Sequence, residues 1–281
     1  MSADLSLRSL LSASLLPPNE ARILMAHVLE QHYQLPRSAI LSRDEMALGP
    51  EALKQWHGLE SKRITGEPIA YLVGKKGFHN IELYVAPGVL IPRPETELLV
   101  EIALREISRI GAQAQVLDLG TGSGAIALAI AHEENRALVT ATDQSTEALE
   151  VAKTNAKLLN VSSRVELTQG SWYQALSPQA LFDIILSNPP YISSQDKHLG
   201  EGDLRFEPIS ALTDHADGLS CIKLIIGGAM THLKPYGLIA IEHGFDQSEA
   251  VVNLMKTAGF EDIQTYLDLA GHHRAVSGRK M

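Results

Sequence analysis

Apolar residues recur at helical spacing through the first 74 positions, and from residue 115 onward they fall into strand-like and helix-like blocks in alternation. Ala21, Leu24, Met25, Val28 and Leu29 share one face of a helix expected over 19–31, with Asn19 as its cap. Shorter helical stretches over 5–13, 36–41 and 50–63 complete a small helical domain spanning 1–74. Residues 77–92 then alternate apolar and polar around Ala86-Pro87-Gly88, which predicts a β-hairpin and makes 75–93 a linker. The spacing predicts a helix over 95–110, with Leu98, Leu99, Ile102 and Ala103 facing inward.

Strands are expected at 115–119, 137–142, 164–168, 181–187, 238–243, 261–267 and 272–278, with helices between most of them. Such alternation predicts an α/β domain over 94–281, a doubly wound sheet of seven strands whose ligands bind beyond the carboxyl ends of the strands. The short connection between the last two strands predicts an antiparallel pair at the sheet edge.

With 281 residues and 45% hydrophobic content, the chain can bury a full α/β core and carry a second, smaller domain. Its formal charge of -9 is uneven: residues 1–75 hold 8 basic and 8 acidic side chains, leaving 16 basic against 25 acidic in the remainder. Nonspecific nucleic-acid affinity comes from Lys and Arg neutralising phosphates, so an acidic catalytic half argues against free DNA as substrate. A single cysteine, Cys221, cannot form an internal disulfide, and no signal segment or long apolar run is present, so the expectation is a soluble, cytoplasmic protein without a membrane partner. Cys221 lies in the apolar stretch 219–230 and reads as a helix position, with no His or carboxylate patterned around it as for a nucleophile.

Two segments carry chemistry. Val116-Leu117-Asp118-Leu119 runs into Gly120-Thr121-Gly122-Ser123-Gly124 and then into an Ala/Ile/Leu helix, a strand, glycine turn and helix in succession. Glycines here allow a nucleoside or amino-acid moiety to lie against the main chain. Asp143, ending the next strand about twenty residues on, is placed to accept hydrogen bonds from ribose hydroxyls. Gly120-x-Gly122-x-x-Ala125 also fits the relaxed dinucleotide pattern, so the loop alone does not separate NAD from S-adenosylmethionine. Asp118 favours the latter, because it can meet a cationic amino group.

The second segment is Asn188-Pro189-Pro190-Tyr191, directly after the apolar run 181–187. An amide or exocyclic amino nitrogen has its lone pair delocalised into a π-system and must be oriented before it can attack. The Asn188 side-chain oxygen and the Pro189 carbonyl can accept its two N–H bonds, Pro189 and Pro190 stiffen the loop, and Tyr191 offers a flat face for a planar group. Both segments lie at carboxyl ends of strands, so the topology should converge them on one cleft. Catalysis by Asn188, Pro189 and Tyr191 follows, with no metal. His132-Glu133-Glu134-Asn135-Arg136 lacks the second histidine of a zinc-protease helix, and the neighbouring His272 and His273 point to opposite faces of a strand. Glu242-His243-Gly244 ends a predicted strand, open either to lining the cleft or, the favoured reading, to being a solvated strand end. The residues leave open an adenine-N6 nucleic-acid methyltransferase, a nicotinamide oxidoreductase and a non-catalytic partner-binding protein.

Taken together, these segments resemble the PrmC/HemK family of protein-(glutamine-N5) methyltransferases acting on class I peptide chain release factors. The resemblance rests on Gly66-Glu67-Pro68-Ile69-Ala70-Tyr71, on Leu90-Ile91-Pro92-Arg93-Pro94-Glu95-Thr96-Glu97, on Asp118 to Gly124, on Asn188 to Tyr191 and on Arg205-Phe206-Glu207-Pro208. It implies an N-terminal helical domain that recognises substrate, a hairpin linker and a seven-stranded class I S-adenosylmethionine-dependent domain, in a monomer. Residue by residue it implies that Gly120, Thr121, Gly122, Ser123 and Gly124 hold the methionine part of the cofactor, Asp143 its ribose and Trp172 the neighbourhood of its adenine. Asn188, Pro189, Pro190 and Tyr191 would receive the glutamine of a Gly-Gly-Gln motif, Asn188 touching the cofactor as well, with S-adenosylhomocysteine as product.

Overall fold

The structure is a computed structural model that describes residues 5–281. It divides into two compact units, one ending at Lys75 and one running from Lys76 to Met281.

The first unit is helical. Its helices are α1 (Leu7–Ala13), α2 (Pro18–Tyr33), α3 (Ala39–Ser42), α4 (Pro50–Ile64) and α5 (Ile69–Val73). Helix α1 begins two residues later than its apolar pattern suggests because Ser6 caps it, its hydroxyl accepting from the Ser9 N–H at 3.2 Å. The short α5 has no counterpart among the expected helices; it starts directly after Pro68, whose fixed φ suits a helix start and whose missing N–H would have no intrahelical partner there. Leu7, Leu24, Met25, Val28, Leu29 and Trp56 are buried together, so the face read from the sequence is the core face.

The second unit begins within a hairpin of β1 (Lys75–Phe78) and β2 (Ile81–Tyr84), one residue into β1. Its turn is at His79 and Asn80, not at Ala86-Pro87-Gly88. His79 takes a left-handed φ of 50°, and the Glu97 carboxylate accepts its N–H at 2.9 Å. Phe78, Ile81 and Leu83 then fall into the core, leaving the Pro-Gly segment free to line the cavity described below. A single 3₁₀ turn, Pro94–Thr96, leads into α6 (Glu97–Ile110).

Seven further strands form one sheet: β3 (Ala114–Leu119), β4 (Ala137–Asp143), β5 (Val165–Gln169), β6 (Phe182–Ser187), β7 (Leu233–Glu242), β8 (Glu261–Leu267) and β9 (His273–Arg279). Between them lie α7 (Ala125–Glu133), α8 (Thr146–Leu158), α9 (Ile209–Leu212), α10 (Ser220–His232) and α11 (Ser248–Thr257). The order is β5-β4-β3-β6-β7-β9-β8, parallel except for β9, which runs antiparallel to both β7 and β8. Period-two alternation sends neighbouring strand residues to opposite faces. Val116, Ile184, Leu186 and Ala240 pack with α6 and α7, whereas Leu117, Ile185, Ile239 and Ile241 pack with α10 and α11. Apolar residues on both faces explain why these strands read as continuous runs.

The order reverses between β3 and β6, the two central neighbours. Leu119 pairs with Ser187 in register, so the glycine loop and Asn188 leave the sheet side by side. That is the switch point at which an open α/β sheet forms its crevice.

Candidate active site

A cavity of about 740 Å³ opens at this switch point. Gly120, Thr121, Gly122, Ser123, Asp143, Trp172, Asn188 and Pro190 all line it, together with Gly88, Val89, Arg93 and Thr96 from the segment after the hairpin. Asp118, Gly124, Pro189 and Tyr191 lie outside the lining.

Asp118 is fully buried beneath the loop. One carboxylate oxygen accepts from Thr121 Oγ1 at 2.6 Å and from the Ala127 N–H at 3.3 Å, which fixes the loop to the first turn of α7. Its other oxygen, Oδ1, is buried without a hydrogen-bond partner. Burial pushes this carboxyl up to about 7 against the pull of those two donors. Gly120 and Gly124 both take left-handed φ, 73° and 85°, and a Cβ would crowd its neighbour at the first and collide at the second. At Gly120 it would lie 3.2 Å from the Trp172 ring, and at Gly124 it would lie 2.7 Å from Leu128 Cδ1. The loop is thus pressed between an indole on one side and α7 on the other.

Asp143 receives the Gly122 N–H on one oxygen and the Ser145 N–H on the other, both at 2.9 Å. Each oxygen keeps a second lone pair for a ligand. Burial raises its pKa against these backbone bonds.

Asn188 donates from Nδ2 to Thr96 Oγ1 at 2.9 Å. This leaves its Oδ1 as the acceptor available to the cavity. Pro189 is buried, and the Tyr191 hydroxyl points away from the cavity to donate to Glu242 Oε1 at 3.1 Å. Burial, reinforced by Glu242, drives the Tyr191 hydroxyl well above the usual phenol range, so it stays protonated. The Tyr191 carbonyl accepts from Gln247 Nε2 at 3.0 Å, anchoring the far end of the loop.

Several participants were not legible in the chain. Thr96 is one of them, although it lies inside the Ile91 to Glu97 segment that carried the resemblance. Glu207, its side chain fully enclosed, pairs with Arg93 and accepts the Ile91 N–H at 2.9 Å, joining two segments 114 residues apart. Asn155 accepts from the Tyr84 N–H at 2.7 Å and donates to the Ser123 carbonyl at 2.9 Å, so one buried amide ties the hairpin to the glycine loop. Glu242 and His243 are 1% and 0% exposed, which overturns their reading as a solvated strand end. β7 is an interior strand, with β6 on one side and β9 on the other, and Tyr191 packs its hydroxyl against Glu242. Cys221 lies on α10 at the cavity wall, half-buried, and burial with the nearby Asp214 carboxylate pushes its thiol up, the opposite of an activated nucleophile.

Comparison with known proteins fits this arrangement. Residues 6–74 match the family model for the PrmC N-terminal domain, and residues 94–202 match that for the methyltransferase small domain. A release factor glutamine methyltransferase of Burkholderia pseudomallei is 46% identical over 274 residues, covering 96% of this chain and 94% of that protein. One of Bordetella pertussis is 47% identical over 272 residues, covering 97% and 98%. Among solved structures, a Thermus thermophilus 16S rRNA N2 G1207 methyltransferase, in complex with AdoMet and guanosine, superposes with a TM-score of 0.54 at 19% identity. It covers 74% of this chain and 50% of that one, a likeness of fold. Among the described residues, no helix is long and apolar enough to cross a membrane.

Proposed function

Because this chain belongs to the release factor glutamine methyltransferase family, we propose that its cavity binds S-adenosylmethionine and presents Asn188 to the glutamine of a Gly-Gly-Gln motif in a class I release factor. The observation that carries the assignment is the direction of the Asn188 amide. Its nitrogen is committed to Thr96, so its oxygen is the group left to accept a substrate N–H.

The residues present fit the cofactor. Gly120 leaves room beside Trp172 that a Cβ would fill, and Asp143 brings spare lone pairs to the cavity wall. Gly120 to Ser123 would hold the methionine part, Asp143 the ribose hydroxyls and Trp172 the adenine face. Asp118, with Oδ1 unpartnered beneath the loop, would accept from the amino group and also holds the loop itself. S-adenosylmethionine supplies, when bound, an electrophilic methyl group.

The protein's own contribution is positioning. Asn188 Oδ1 and the Pro189 carbonyl accept the two N–H bonds of the glutamine side chain, fixing its plane and exposing the face of the nitrogen. These acceptors gain strength as the nitrogen becomes positive, and the proton is acidic only then, so no strong base and no metal are required. Fixing the two reactants in contact supplies up to about 7–11 kcal/mol of the barrier reduction. Pro190 walls the pocket, and Tyr191 anchors the loop from behind.

The helical unit recognises the folded factor in this reading, supported by the match of residues 6–74 to the PrmC N-terminal domain. The acidic second unit disfavours a DNA substrate. A cytoplasmic monomer is the form consistent with a substrate from the translation machinery.

The test is methyl transfer from labelled S-adenosylmethionine to a purified class I release factor, to its Gly-Gly-Ala variant and to duplex DNA. Label on the wild-type factor alone is the expected result. Label on DNA would favour adenine-N6 chemistry, and label on neither would remove this reading.

A further inference from the structure

One charge of S-adenosylmethionine has no partner among the residues assigned so far. Adenine, ribose and amino group fall to Trp172, Asp143 and Asp118, whereas the carboxylate of the methionine end is left over. A carboxylate drawn out of water without a cation or donors is costly. The surroundings add to the cost, because Asp143, Glu147 and Asp214 line the same cavity.

The glycine loop offers little to an anion. The Gly120 and Thr121 N–H groups both donate to the Thr142 carbonyl at 2.9 Å, Gly122 donates to Asp143 at 2.9 Å, and Gly124 donates to the Thr121 carbonyl at 2.9 Å. Of these five residues only Ser123 keeps an uncommitted N–H.

Arg93, by contrast, is the only Lys or Arg on the cavity wall among the described residues. Its Nη2 donates to Glu207 Oε1, and the second Glu207 oxygen accepts the Ile91 N–H at 2.9 Å. The Glu207 side chain is fully enclosed, so one edge of the guanidinium is tied to an anion that is itself held in place. Among the described residues, Arg93 Nε and Nη1 make no hydrogen bond. A planar fork with donors to spare matches a second carboxylate.

The position suits the methionine end. The Thr96 N–H donates to the Arg93 carbonyl at 3.1 Å, and the Thr96 hydroxyl takes the Asn188 amide, so Arg93 stands one turn from the group that orients Asn188. Strand order β5-β4-β3-β6 sets Trp172, Asp143, the glycine loop and Asn188 in one row. A cofactor laid along that row with adenine at Trp172 brings its amino-acid end toward Asn188 and hence toward Arg93.

We propose that Arg93 binds the carboxylate of S-adenosylmethionine, aimed by its buried pair with Glu207. The inference rests on the S-adenosylmethionine reading of the cavity and is independent of the methyl acceptor. It makes the cavity selective for a ligand with an intact amino-acid end, since removing Arg93 leaves a carboxylate among acids.

The experiment is calorimetric titration with S-adenosylmethionine and with decarboxylated S-adenosylmethionine, for the wild type and for Arg93→Met/Glu207→Gln, which removes the cation without stranding the buried anion. The wild type should prefer the carboxylated ligand by about 10- to 100-fold, the usual size of hydrogen bonds between charged groups. In the double variant the preference should fall to about one or below, while binding of the decarboxylated ligand stays within about threefold. If the double variant does not fold, Arg93→Lys keeps a cation beside Glu207 but loses the fork, and its preference should drop at least about threefold. An unchanged preference in the variants would overturn the inference and hand the carboxylate to Ser123 and the first turn of α7. Equal binding of both ligands by the wild type would also overturn it, with the cofactor reading intact. Binding of neither ligand by the wild type would overturn both.

Discussion

Ser187 donates its hydroxyl to the Leu119 carbonyl at 2.7 Å, a buried bond that ties the strand feeding the glycine loop to the strand feeding Asn188. Ser187→Ala should remove about 1 kcal/mol of stability, the net worth of one such bond, and raise the KM for S-adenosylmethionine without abolishing turnover. Urea unfolding and initial rates measure the two effects.

Asn188→Ala removes the one side-chain acceptor assigned to the glutamine N–H. Turnover should fall by about 100- to 1,000-fold, the range for losing one preorganised polar group, while cofactor affinity stays nearly constant. Single-turnover methylation with calorimetric titration separates the terms, and a parallel loss of both would point to a collapsed loop.

At Gly120 two constraints coincide, a φ of 73° and a Trp172 ring 3.2 Å from where a Cβ would stand. Gly120→Ala should weaken cofactor binding at least about tenfold, since backbone strain of roughly 1–2 kcal/mol adds to displacement of the indole. Trp172 is well placed to report it, and an unshifted fluorescence titration would contradict the close packing.

Arg93→Met leaves the Glu207 carboxylate enclosed without its cation. Breaking a buried pair on one side costs about 3–5 kcal/mol, and because the Arg93 side chain is 31% exposed the low end of that range is expected. Thermal unfolding should show the loss, with Arg93→Met/Glu207→Gln recovering part of it.

Asp118 carries a pH prediction with a definite sign. Burial raises its folded-state pKa to about 7 from 3.8, so the folded protein prefers the protonated form. That stabilisation is complete below the unfolded-state value and is lost as pH rises through about 7, at roughly 1.4 kcal/mol for each pH unit between the two values. Glu242 acts in the same sense. Asp118→Asn should therefore flatten, without removing, the fall in urea midpoint between about pH 4 and pH 8.

The alternation of apolar blocks is enough to foresee the seven strands, the antiparallel edge and the helical first unit, because burial on one or both faces leaves a periodic mark in the chain. Residue chemistry likewise picks out Gly120 to Gly124, Asp143 and Asn188, and the resemblance adds Trp172; all but Gly124 reach the cavity wall. The hairpin turn lies elsewhere than expected because Pro87-Gly88 has strong turn chemistry, whereas His79 adopts its positive φ under the hold of Glu97, eighteen residues away. No local pattern records a bond of that kind.

What the sequence by itself determined is the set of elements and the chemical groups at their ends, since these depend on spacing and residue type within a few turns of chain. What only the tertiary structure decided is how those groups are aimed. Asn188 faces the cavity with its oxygen because Thr96, 92 residues earlier, takes its nitrogen, and Glu242 is a buried carboxylate, not a solvated strand end, because β7 lies inside the sheet between β6 and β9 and Tyr191 packs against it. Such choices are made by hydrogen bonds and burial between segments that are neighbours only after folding, and an amide that can turn either way carries no trace of the choice in the chain.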